Sequence, residues 1–284
     1  IMKETEKVLD QYKQDKVLIL GDTNSGLATY IAERKGIPVY HLESGNRCND
    51  LRVPEEINRK LIDHTASYNF PYTPGSKDNL LREGIDPTKI IVSGNPISEV
   101  LKYYEKQIES SDILNKLKLT EHKYLLATFH RAETVDNAGY LQEITDGLIK
   151  IEKKYKMPVV CSVHPRTREK LKNFYRGYLD SLTLLEPMGF FDFVKLEKNA
   201  MCILSDSGTV CEEACILRVP HVIMRDTTER PETVRVGASI ISKVNATNIC
   251  NAVGLFQTVD WEMPEGYIDD NVSNKVIDYL LGEM

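Results

Sequence analysis

Carboxylates, histidines and arginines recur in this chain at the ends of short apolar runs, and that placement points to chemistry. The run 16–20 is followed by Gly-Asp-Thr-Asn-Ser-Gly (21–26), and the run 37–42 by Glu-Ser-Gly-Asn-Arg (43–47). Further on, 124–129 leads into His-Arg-Ala-Glu (130–133), and 158–163 into His-Pro-Arg-Thr (164–167). The run 201–204 precedes Ser-Asp-Ser-Gly-Thr (205–209), and 219–224 precedes Arg-Asp-Thr-Thr-Glu-Arg-Pro-Glu (225–232). Loops are polar by default, so one such stretch says little. If the runs are strands of an open parallel sheet, ligands bind at their carboxyl ends. Asp22, Glu43, Arg47, His130, Arg131, His164, Arg166, Arg225 and Arg230 then share one rim. An arginine-rich rim suits a small anion, because guanidinium meets phosphate or carboxylate bidentately.

Several of these residues carry two readings. The stretch 205–214, Ser-Asp-Ser-Gly-Thr-Val-Cys-Glu-Glu-Ala, sits where a strand hands over to a helix. It lacks the G-x-S-x-G elbow, which disfavours a hydrolytic serine. Thr209 with Glu212 fits a capping box, and Ser207 is a second candidate cap. The same first amides, with Gly208 permitting close approach, also make an anion seat. Neither dinucleotide nor P-loop glycine fingerprints occur, so a nucleotide here is held in some other way. Asp22 precedes a helix that Thr23, Asn24 or Ser25 can cap. Pro54 suits a helix's first position, and Glu55 and Glu56 then favour the positive end of its dipole, with or without catalysis. His41 and His64 read as structural. His130 ends a run and is followed by Arg131 and Glu133, which favours a functional role.

The elements that must position these groups follow from the alternation of apolar runs with helical segments at 24–35, 54–66, 75–83, 138–155, 166–174 and 208–217. Runs of about five apolar residues suit strands buried on both faces, and the alternation predicts a doubly wound α/β fold. Further strands are predicted at 89–94 and 182–186. The polar, helical stretch 98–120 divides the chain into an N-terminal unit at 1–97 and a second unit at 121–268, with a final helix within 269–284. Only three strand candidates precede that division, which predicts a truncated N-terminal domain.

Composition narrows the class. The 284 residues are 42% hydrophobic and 27% charged, with a formal net charge of −6, which argues against general nucleic-acid binding. No apolar stretch approaches the roughly 20 residues of a membrane helix, and no signal peptide opens the chain. The six cysteines form no C-x-x-C pair, which predicts reduced, buried thiols in a cytoplasmic protein. Cys211 and Cys215 have helical spacing but no complementary histidine pair, so no metal site is expected.

Gly-Asp-Thr-Asn-Ser-Gly-Leu-Ala, His-Leu-Glu-Ser-Gly-Asn-Arg, Arg-Val-Pro-Glu-Glu-Ile-Asn-Arg, Phe-His-Arg-Ala-Glu-Thr, Ser-Asp-Ser-Gly-Thr-Val and Met-Arg-Asp-Thr-Thr-Glu-Arg-Pro-Glu occur in that order. Together they resemble the non-hydrolysing UDP-N-acetylglucosamine 2-epimerases. The resemblance implies two Rossmann-like domains in the glycosyltransferase-B arrangement, facing a cleft. The family's N-terminal strand and phosphate loop have no counterpart, in line with the expected truncation. The implied reaction eliminates UDP to a 2-acetamidoglucal and adds it back with the C2 proton on the other face. The implied acid–base carboxylates are Asp22, Glu43 and Glu55, with His130 assisting departure of the diphosphate. Ser207 and Gly208 are implied to seat phosphate and Glu213 to hold the ribose. Arg47, Arg59, Arg131, His164, Arg230 and Glu232 complete the implied substrate contacts. A homodimer acting on a UDP-sugar, with no cofactor, no metal, no nucleic acid and no membrane, is the expected whole. The Glu-Ser-Gly-Asn-Arg-Cys and Ser-Gly-Thr variants also resemble a branch acting on other UDP-2-acetamido sugars, a 6-deoxy-L-hexose or a diacetamido-uronate. A UDP-sugar glycosyltransferase and an inactive truncated remnant are the alternatives.

Overall fold

A computed structural model describes residues 1–174, 181–256 and 260–282, without the side chains of residues 132, 133, 166 and 172–174. The side chains of Glu133 and Arg166 therefore lie outside the described residues. The chain divides into two compact units, Ile1–Glu99 with Pro264–Met284, and Val100–Met263. Both are α/β with parallel sheets, the class that the alternating runs predict.

The first unit holds β1 (Val17–Leu20), β2 (Val39–Leu42) and β3 (Tyr68–Phe70), paired in parallel in that order. Parallel neighbours need a crossover, and helix Ala28–Arg34 and helix Pro54–Thr65 lie between them in the chain. Pro54 opens the second of these helices, where its missing amide costs nothing. Ala32, Val39 and Ala66 form one small core, and Tyr40, Phe70 and Val276 another. Val276 belongs to helix Val272–Leu281, so the chain's last helix supports the first unit. The stretch 89–94 is not a strand. Ile91 donates to Asn69 O and Ser93 to Pro71 O, but only Ile90 forms a bridge, with Asn69. Pro71 has no amide to return, which stops the ladder there.

The second unit holds β4 (Leu125–Thr128), β5 (Val159–Ser162), β6 (Leu182–Leu185), β7 (Cys202–Ser205), β8 (His221–Ile223) and β9 (Ser239–Ile241). Its sheet order is β6-β5-β4-β7-β8-β9, all parallel. The order reverses between β4 and β7, and that is where doubly wound sheets bind ligands. Two hydrophobic clusters sandwich the sheet. One includes Leu125, Ala127, Leu141, Ile144 and Val222, the other Leu126, Val160, Ile203, Val210 and Ala214. Alternate residues of β4 thus feed opposite faces, and each fully buried Leu or Ile contributes about 1.5–3 kcal/mol. The stretch expected as a linker carries helices Glu105–Glu109 and Ile113–Lys116, and Ile113 and Leu114 enter the second of these clusters. No described helix is long and apolar enough to cross a membrane.

Candidate active site

In the first unit, Leu20 of β1 pairs with Leu42 of β2, so the residues after both strands emerge side by side. Gly21 has φ 76°, and a Cβ there would sit 3.3 Å from Oε2 of Glu43. The glycine thus lets the Glu43 carboxylate lie against the backbone that carries Asp22. Glu43 itself has φ 67°. A non-glycine residue held there stores about 1–3 kcal/mol of strain, and such residues gather at functional sites.

Helix Pro54–Thr65 supplies the opposing groups. Arg59 Nε and Nη2 both lie 2.7 Å from Asp22 Oδ2, and Arg59 Nη1 donates to Glu56 Oε2 at 2.8 Å. Asn58 Nδ2 donates to the Asp22 carbonyl at 3.0 Å. Glu55 lies one helical turn before Arg59 and shares its face. Oε2 of Glu55 is buried with no hydrogen-bond partner among the described residues. The two adjacent glutamates have therefore parted. Burial alone would raise the Glu56 carboxyl, but the Cys48 amide and thiol, Arg59 and the Asn49 amide hold it below the usual carboxylate range.

Arg47 faces inward. Its Nε and Nη2 reach Glu83 at 2.9 and 2.6 Å, Nη1 reaches the Asn46 carbonyl at 2.8 Å, and Nη2 lies 2.7 Å from Asp63. Rather than presenting a guanidinium fork on the rim, it braces the loop behind Glu43. Asp63 also accepts from the Gly45 amide at 3.1 Å and contacts His41 Nδ1 at 2.7 Å. Burial would raise this carboxyl, and His41 and Arg47 hold it below its ordinary value.

In the second unit, the turn after β4 meets the turn after β7. The amides of His130 and Arg131 donate to the buried Asp206 carboxylate at 3.1–3.2 Å. The His130 ring remains 56% exposed, with Nδ1 3.6 Å from Asp206 Oδ1. Arg131 donates through Nε to the Asp206 carbonyl at 3.0 Å and through Nη2 to Glu229 at 2.7 Å. Arg225 reaches the other oxygen of Glu229 at 2.8 Å. Arg230 Nε donates to Glu212 at 2.5 Å. The arginines of the rim are thus held by buried carboxylates, which fixes their orientation and leaves the cluster with three guanidinium groups to Glu229, Glu212 and Asp206.

The helix Gly208–Ile216 begins at this cluster. Ser207 is its cap, its Oγ accepting from Val210 N at 3.5 Å, and Glu212 turns to Arg230 rather than back to the helix start. The Thr209–Glu212 capping box does not form. The first amides of a helix have no carbonyl partner within it, and Val210's is taken by Ser207 Oγ, so those of Gly208 and Thr209 are the candidates for an anion seat. A Cβ on Gly208 would lie 2.9 Å from Glu229 Oε1, so the glycine is required by close packing. Glu213, next in the helix, is buried against Glu197 of helix Phe190–Lys198. Burial pushes Glu213 up to about 7, and burial together with the nearby Glu213 charge drives Glu197 well above the usual range. His164 lies exposed just beyond β5, and Glu232 is half-buried in the first turn of helix Pro231–Arg235.

Asp206, Glu229 and Asp63 escaped sequence reasoning. Asp206 directly follows β7, Asp22 comes two residues after β1, and Glu229 directly precedes Arg230. An acid beside rim arginines is a signal for a buried counter-charge.

The family model for UDP-N-acetylglucosamine 2-epimerase matches residues 1–281. A UDP-N-acetylglucosamine 2-epimerase of Methanocaldococcus jannaschii is 44% identical over 276 residues, covering 93% of this chain and 75% of that protein. One from Methanococcus maripaludis is 40% identical, over 100% of this chain and 80% of the relative. The crystal structure of the M. jannaschii enzyme in complex with UDP-GlcNAc and UDP is similar with a TM-score of 0.91 and 40% identity, over 99% of this chain and 79% of that one.

Proposed function

The chain belongs to the UDP-N-acetylglucosamine 2-epimerase family, and from that premise we propose that it interconverts UDP-N-acetylglucosamine and UDP-N-acetylmannosamine. No carbonyl adjoins C2 to acidify its proton, so the route is elimination. One of Asp22, Glu43 and Glu55 takes the C2 proton as the C1–O bond breaks, and UDP leaves with the bonding electrons. The 2-acetamidoglucal then receives a proton at C2 on its other face, from another of these carboxylates, while a diphosphate oxygen re-forms the bond to C1. The carboxylates supply general acid–base catalysis worth about 10²–10⁴-fold. His130, the Arg131 cluster and the amides after Ser207 stabilise the departing diphosphate. Glu213 receives the ribose, Arg230 and Glu232 border the nucleotide, and Arg47 and Arg59 act by holding the carboxylate loops. The protein works as a homodimer in the cytoplasm, which light scattering and cell fractionation address.

The observation that supports this most directly is the grip of Arg59 on Asp22, one turn from the unpartnered carboxylate oxygen of Glu55. A general base must be held still against the proton it takes, and the paired contacts of Arg59 fix the Asp22 carboxylate in place. Incubating the protein with UDP-N-acetylglucosamine alone in D₂O tests the proposal by proton NMR. Expected are the manno isomer and deuterium at C2. Transfer only when an acceptor is added points to a glycosyltransferase, and free sugar with UDP to a hydrolysing enzyme. Turnover of a different UDP-2-acetamido sugar in place of this one moves the substrate but keeps the chemistry.

A further inference from the structure

His41 lies on β2, the middle strand of the first unit's sheet, between Ile19 of β1 and Asn69 of β3. Its ring is fully buried, and both nitrogens are engaged. Nδ1 lies 2.7 Å from Asp63 Oδ1 and Nε2 lies 3.0 Å from the Gly21 carbonyl oxygen. A carbonyl oxygen has no proton to give. Asp63 has none either: Arg47 and the Gly45 amide hold its Oδ2, and its carboxyl lies below the ordinary value despite burial, so Oδ1 meets the ring as a carboxylate oxygen. Two acceptors on one imidazole require two N–H donors, and the ring carries two only as the cation. The surroundings support that charge: the series His41, Asp63, Arg47, Glu83 alternates in sign through direct contacts. A buried cation in touch with a buried anion avoids most of the cost of lone burial.

A buried histidine needs a partner at each ring nitrogen, and Asp63 serves only one of them. The second bond has a specific target. Gly21 precedes Asp22, and Glu43 follows His41 by two residues, with its carboxylate against Gly21. One ring therefore ties together the two backbone segments from which Asp22 and Glu43 project. We propose that His41 is a positioning residue, which as an imidazolium joined to Asp63 and to the Gly21 carbonyl sets the separation of Asp22 and Glu43. The proposal rests on the reading of those carboxylates as the acid–base groups.

Nitrogen-15 NMR of the ring on the whole protein near neutral pH tests the charge, with His41→Gln used to assign the signals. Both His41 nitrogens should resonate as protonated; one in the unprotonated range overturns the imidazolium. Kinetics test the role. Folded His41→Gln, checked by thermal melting, should lose about 100-fold in kcat while UDP affinity stays within about twofold. A kcat close to that of the parent overturns positioning. If His41→Gln does not fold, replacing the five other histidines one at a time leaves the His41 signal assigned by elimination, and Asp63→Asn, which weakens the same tie, tests positioning by the same loss in kcat. Unimpaired turnover in both Asp22→Asn and Glu43→Gln, with both nitrogens protonated, overturns the reading of the carboxylates and the positioning role with it. The charge on His41 then stands alone.

Discussion

Arg59 reaches a single oxygen of Asp22 with two of its nitrogens, each at 2.7 Å, and gives a third to Glu56 at 2.8 Å. One side chain on helix Pro54–Thr65 therefore fixes a carboxylate that follows β1 and neutralises another that is fully buried. Lysine in its place offers one point charge and cannot span both carboxylates. Arg59→Lys is expected to lower kcat about 100-fold through a displaced Asp22, with little change in UDP affinity. Arg59→Ala leaves buried Glu56 short of its cation and should cost about 3–5 kcal/mol of stability, read from urea unfolding. Normal kcat in Arg59→Lys would show that Asp22 needs no such anchor.

Asp22→Asn, Glu43→Gln and Glu55→Gln keep the shape of each site and remove its ability to carry a proton. Each is expected to slow epimerisation by about 10²–10⁴-fold while calorimetry finds UDP binding unchanged. Glu56→Gln is the contrasting variant. Its carboxylate serves the amides of Cys48 and Asn49 and Arg59, so the main loss there is stability. Near-normal turnover in all three of the first set would sink the assignment.

The difference between Glu55 and Glu56 also marks how far the chain could be read without its fold. Both sit in the first turn after Pro54, and both favour the helix dipole, so their types are equivalent in sequence. Only the direction of each side chain, set by a rotation of about 100° per residue, separates the buried strut from the partly exposed group. Strand ends such as Asp22 and His130 were legible because long apolar runs precede them. β3 and β9 were not, since Asn69 interrupts Tyr68–Phe70 and Ser239–Ile241 opens on a serine after glycine and alanine, whereas the equally short β8 lies inside the apolar run 219–224. Asp206 and Glu229 gain their partners from the adjacency of β4 and β7, which lies in the sheet order rather than in any local motif. The Thr209–Glu212 spacing was a true pattern with the wrong occupant, because Arg230 outcompetes a backbone amide for the Glu212 carboxylate.

Gly208 gives a test of the anion seat that leaves every charged group in place. A methyl group there meets Glu229 Oε1 at 2.9 Å, and Glu229 is the bridge between Arg131 and Arg225. Gly208→Ala should shift that carboxylate and disorganise both arginines. UDP affinity is expected to fall about tenfold or more, since charge-assisted hydrogen bonds are worth about 1.5–3 kcal/mol each. Isothermal titration calorimetry reads this directly. Unaltered affinity would place the diphosphate away from the start of this helix.

The buried Glu197–Glu213 pair should leave a signature in the pH dependence of folding. Burial pushes Glu213 up to about 7 and carries Glu197 well above its ordinary range. In the unfolded chain both ionise near pH 4.3, at about the ordinary value for glutamate. At acid pH below that value, folded and unfolded states are both protonated and the contribution to stability is fully present. Between about 4.3 and 7 the folded protein keeps protons that the unfolded chain has lost, so stability falls as pH rises, by at most about 1.4 kcal/mol per pH unit for each proton. Glu213→Gln removes one titration and retains an amide that can donate to Glu197. Its melting temperature should exceed that of the parent at mildly alkaline pH and converge with it towards acid. A gap that stays constant across pH, or widens in acid, would mean that the two carboxyl groups share no proton in the folded protein.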